Sequence, residues 1–150
     1  NPDRMDLKLG SIGVITLAVI FGCFTVVKDI PNTMADYNAK MRTVVSMENM
    51  ALEVYRLPKT TSRDSILTEI KDHGIYYWHE MIMMLNKLDQ QQLPEELHAR
   101  NKSLIHYCEL RINSYNFIYK AVEENTDKYK DSIEDYNKQI QVAIDELKGK

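Results

Sequence analysis

His79-Glu80-Met81-Ile82-Met83 opens as a zinc-protease helix does, a histidine followed by a glutamate able to act as general base. That chemistry needs a second imidazole one turn on, so that two histidines grip one metal from the same face, and the position holds Met83. Glu95 and His98 have the Glu-x-x-His spacing of di-iron bundles. Such a centre takes two of these pairs on separate helices with further inward carboxylates, and this pair stands alone in what reads as an exposed first turn. Met81 and Met84 share a helical face while Met83 does not, so the three read as adaptable packing or a contact surface rather than a copper-binding box. Ser11 lies in an apolar run with no histidine at its depth to activate it, and no Gly-rich phosphate loop occurs. The sequence therefore predicts no catalytic residue, no metal and no cofactor.

The remaining ionisable groups read as solvated helix faces, with His73 and Glu69 an ordinary i,i+4 pair and His106 on the surface. A formal net charge of -3 lacks the basic footprint that phosphate backbones demand, which argues against nucleic acid as a partner. Cys23 falls in the apolar run and Cys108 in a helical stretch, so two free thiols are expected.

The elements that carry these residues divide the 150-residue chain in two. Residues 1–8 are a short charged juxtamembrane segment. From Leu9 to Val27 there is no charge, and as a helix this run reaches roughly 28 Å, close to the thickness of a bilayer's hydrocarbon core. Residues 9–28 are thus expected to be a transmembrane helix. A buried core helix competes poorly, because so small a remainder would struggle to surround it. A lipoprotein-type leader ending at Cys23 competes poorly as well, because Phe21 is bulky where a small residue is expected. Ala18 and Gly22 form a small-xxx-small pair that would seat a neighbouring helix. The first residue is Asn1, which is read as a sign of processing, trimming or membership of a longer protein.

With only 5 Gly and 4 Pro, residues 32–150 read as helix broken at few places. A first helix carries Met34, Tyr37, Met41, Val44, Val45, Ala51, Leu52 and Tyr55 inward and stops at Pro58. A second is expected to start with a Thr61 cap and to bury Leu67, Ile70, Trp78, Met81, Leu85 and Leu88. That stripe passes through Gly74 without a change of phase, which predicts one helix in which Gly74 lets another backbone come close; the competing reading makes Gly74 a helix end. Leu93-Pro94-Glu95-Glu96 starts a third helix, which runs to Glu123-Glu124-Asn125. Thr126 is expected to cap a fourth, whose seam is Tyr129, Ile133, Tyr136, Ile140, Ala143 and Leu147. Short connections predict an all-α, up-down antiparallel bundle of about four helices behind the transmembrane helix. The nine tyrosines are expected to pack their rings inward with hydroxyls reaching the boundary.

Three strings, Gly74-Ile75-Tyr76-Tyr77-Trp78, Leu93 to His98, and Tyr107 to Ile112 with Ile118-Tyr119-Lys120-Ala121, resemble the C-terminal extension of bacterial rhomboid-family intramembrane serine proteases. The resemblance implies that Leu9 to Val27 is an additional last membrane helix and that the bundle is a tail, on the extracytoplasmic side if that helix is the seventh. The family's Gly-x-Ser-Gly serine and its histidine have no counterpart here, so no catalytic residue carries over.

Together these readings predict a non-catalytic, membrane-anchored accessory domain whose partners are membrane lipid and a protein, such as an upstream protease core. Tyr76, Tyr77, Trp78 and Gly74 are its candidate packing or interaction residues. The alternative is a stand-alone anchored sensor or ligand-binding bundle with an unspecified small-molecule ligand. The absence of a second span before Lys150 counts against a signalling receptor.

Overall fold

The computed structural model describes residues 31–149, all of whose regular elements are helical. The predicted span Leu9 to Val27, with Ala18 and Gly22, and the segment 1–8 lie outside the described residues. Among the described residues no helix is long and apolar enough to cross a membrane.

Helix α1 runs Pro31–Ala51. A 3-10 turn follows over Glu53–Arg56, and Leu57 is extended at φ −61° and ψ 140°, as the residue before a proline must be. The cap of the next helix is Ser62, not Thr61. Ser62 Oγ accepts from the Ser65 N–H at 3.2 Å, while the Thr61 hydroxyl turns back and donates to the Pro58 carbonyl at 2.6 Å.

Helix α2 (Arg63–Thr68), a π-helical segment (Glu69–Ile75) and α3 (Tyr76–Asp89) form one continuous rod. Backbone angles stay helical at both junctions, φ −60° and ψ −46° at Thr68 and φ −56° and ψ −52° at Tyr76. Gly74 therefore does not break the helix. The reason for the wider π turn is readable in the buried residues. Ile70, Gly74 and Trp78 face inward at two successive steps of four, longer than an α-helix repeats, and i→i+5 bonding absorbs the excess.

Helix α4 spans Glu95–Glu123, with Glu95 and Glu96 against its positive end. It closes in a Schellman arrangement: Thr126 N–H donates to the Ala121 carbonyl at 3.1 Å and Asn125 N–H to Val122 at 3.3 Å, with Asn125 left-handed at φ 48°. Thr126 caps the following turn, accepting from the Lys128 N–H at 3.2 Å, and not the last helix itself, which begins later. That helix, α5, is Lys130–Lys148.

Contacts fix an up-down-up-down course. Gln91, just past α3, donates to Asp36 near the start of α1, and Asp89 pairs with His98 across the α3–α4 connection. Phe117 of α4 meets Tyr129 and Tyr136, the latter on α5, each with ring centroids 5.8 Å apart. Three hydrogen bonds, Tyr37 to Asn101, Tyr107 to Glu48 and Tyr115 to Ala51, advance together along α1 and α4 and show those two to be parallel. Helix α4 is central, burying residues round much of its circumference, and α5 packs chiefly on it. The core is rich in large rings and methionine, with Tyr37, Met41, Trp78, Met81, Tyr107 and Tyr115 all buried.

Candidate functional site

The tyrosine hydroxyls depart from expectation. Those of Tyr37, Tyr107 and Tyr115 do not reach the boundary; they bond inside the core. Around two of them a buried polar cluster assembles where α1, the π segment, α3 and α4 meet.

Its axis is a relay between opposite charges. Tyr107 Oη donates to Glu48 Oε2 at 2.9 Å and accepts from Arg111 Nε at 3.2 Å, so one hydroxyl joins a carboxylate to a guanidinium. Glu48 is fully buried and Arg111 is 2% exposed. The reading of every acid and base as a solvated face is thereby corrected for Glu48, Arg100 and Arg111. The guanidinium carbon lies 5.3 Å from the Tyr107 ring centroid and 5.7 Å from that of Trp78, close enough for cation–π attraction. Trp78 in turn meets Tyr107 and Tyr115 edge-on at 5.5 and 6.1 Å, the arrangement that ring quadrupoles favour. Tyr115 Oη donates to the Ala51 carbonyl at 2.7 Å, near the point where α1 ends.

Gly74 makes this fit possible. A Cβ there would lie 2.5 Å from Tyr115 Cε2, so the glycine admits a ring, not the neighbouring backbone that the sequence suggested.

Burial raises the Tyr107 and Tyr115 hydroxyls well above the ordinary tyrosine range, because a phenolate would lose its hydration. Burial pulls on the Arg111 guanidinium in the opposite sense, but the oxygens of Tyr107, Tyr55 and Tyr115 outweigh it and hold its pKa above the usual arginine value. Arg111 therefore keeps its charge. Cys108 is a buried free thiol pushed well up by burial, in the state of an inert core residue rather than a nucleophile. A smaller cluster towards the other end of α4 holds Tyr37, bonded to Asn101 at 3.1 Å and pushed up by burial to about 12.

The relay is closed to solvent, so it can order three elements but cannot present a group to an outside substrate. Among the described residues no set of His, Cys, Asp and Glu is placed to hold a metal ion. His98, read as part of an exposed Glu-x-x-His pair, is half-buried and bonded to Asp89 at 2.6 Å. His73 pairs with Glu69 at 2.8 Å, as its spacing predicted. Of the residues singled out from sequence, Gly74 and Trp78 belong to the cluster. Tyr76 and Tyr77 stack edge-on at 5.1 Å outside it, with Tyr76 exposed. Glu48, Tyr107 and Arg111 were missed as a site, although their phase marks them. Glu48 is four residues from Val44 and three from Ala51, and Arg111 stands one turn from both Tyr107 and Tyr115.

Fold and cluster together define an all-helical bundle with a polar, aromatic-lined core. No protein-family model, no curated protein and no solved structure matches the chain.

Proposed function

We infer that this chain is a membrane-anchored helical interaction module without chemistry of its own, in which Leu9 to Val27 spans the bilayer and the bundle acts as an accessory domain. The observation that carries the reading is a division of labour. The charged groups arranged with chemical precision are sealed in the core, whereas Tyr76 and Met83, two turns apart on one face of α3, are each 52% exposed. Large apolar side chains left in water on a rigid rod suit a contact surface. The resemblance to rhomboid tails supplies the setting, a membrane protease core encoded upstream and a bundle on the extracytoplasmic side.

Two experiments test this. Recovery of the upstream coding sequence is expected to reveal further membrane helices with a Gly-x-Ser-Gly serine and a histidine; a start codon at Met5 would remove the rhomboid setting. A photo-crosslinking residue at Tyr76 in cells is expected to give one discrete protein adduct that the same residue at Lys138 does not give. Identical patterns at both positions would remove the contact surface.

A further inference from the structure

We propose that a single internal water molecule is resident where Arg111 meets Trp78, accepting one hydrogen bond from Arg111 Nη2 and one from Trp78 Nε1. Both atoms are donors, both are buried, and neither has a protein acceptor. The guanidinium carbon lies 5.7 Å from the indole centroid, so the two donors belong to side chains in direct contact within the core. Two nearby hydroxyls direct their protons elsewhere, Tyr107 to Glu48 and Tyr115 to the Ala51 carbonyl, and Tyr107 already accepts from Arg111 Nε. The indole N–H faces the Tyr115 oxygen without closing a bond to it. Two orphaned donors beside a buried charge would cost a large share of a small domain's stability, and internal waters occur where such groups converge.

Charge decides between water and an anion. Arg111 is already answered by the Glu48 carboxylate through Tyr107, so a chloride would leave an uncompensated negative charge in the core. A neutral molecule with two lone pairs matches two donors, and the oxygens of Tyr55 and Tyr115 beside Arg111 can accept its hydrogens.

The 150-residue chain has one tryptophan, so its indole N–H gives a single NMR resonance. That resonance is expected to show a cross-relaxation peak to a long-lived water, and Tyr115→Phe, which keeps the ring but removes the oxygen that the indole faces, is expected to retain it. A crystal of the full chain soaked in bromide is expected to show water density within hydrogen-bond reach of both donors and no anomalous peak. A bromide peak there would overturn the proposal in favour of an anion site. A dry contact, with the indole bonded directly to Tyr115 and no water peak in the spectrum, would overturn it altogether.

Discussion

Glu48 and Arg111 carry opposite charges inside the core, away from bulk solvent, and one hydroxyl joins them. Removing one partner takes from the other its opposite charge inside the core. Glu48→Gln is therefore expected to cost about 3–5 kcal/mol in urea denaturation. Arg111→Met should cost a similar amount, and the double variant clearly less than the sum, since no lone charge is left; strict additivity would mean that the relay does not couple them. The tyrosines make a separate, pH-dependent contribution. Tyr37, Tyr107 and Tyr115 hold their protons to higher pH when folded, so above the ordinary value of 10.0 the folded chain binds more protons than the unfolded one. Their stabilising effect is complete below that pH and falls as pH rises through the folded values, about 12 for Tyr37. The slope approaches about 1.4 kcal/mol per pH unit for each such tyrosine. Urea midpoints measured at pH ~9 and ~11 should fall accordingly, and less steeply in Tyr37→Phe. A midpoint flat across that interval would contradict the burial of these hydroxyls.

The π segment shows how one element adjusts to another. In an ordinary helix Gly74→Ala stabilises by about 1 kcal/mol. Here the new methyl would meet Tyr115 Cε2 at 2.5 Å and Cδ2 at 2.8 Å, atoms of a buried ring tied by its hydroxyl to Ala51. The ring must move, so the substitution is expected to destabilise by about 1–3 kcal/mol and to alter the near-ultraviolet circular dichroism of Trp78 and its neighbours. A gain in stability would show that the ring yields freely. Periodicity made the rods legible, because Ile70, Trp78, Met81, Leu85 and Leu88 declare a buried face whatever they touch. The π turn was visible only as two successive steps of four, a signal too slight to separate from helical drift. The relay stayed hidden for a different reason. Residue type outweighed phase in reading Glu48 and Arg111, since charge implies water unless a specific partner is known, and that partner lies 59 residues away from Tyr107 in sequence.

For the whole molecule, the course of the helices sets where a partner would have to be. The bundle end that holds the start of α1 also holds the end of α3 and the start of α4, as the Gln91–Asp36 and Asp89–His98 bonds require. If Leu9 to Val27 lies in lipid, as we propose, that end faces the bilayer. Tyr76 begins the 14-residue helix α3, which in that arrangement would put it about 20 Å further from the membrane. A surface at that height suits the water-exposed part of a neighbouring protein better than a helix within the bilayer. The arrangement depends on the uncharged early run preferring hydrocarbon, because no helix among the described residues is long and apolar enough to cross a membrane. Expressed in full, the chain should therefore remain with membranes through an alkaline carbonate wash, while a variant with Val14→Asp, Ala18→Lys and Gly22→Glu should be released, since each charge at membrane depth costs about 2.5–3.5 kcal/mol on the insertion scale. Release of the unaltered chain would mean that this run is satisfied by protein, and that Tyr76 has no set distance from a bilayer.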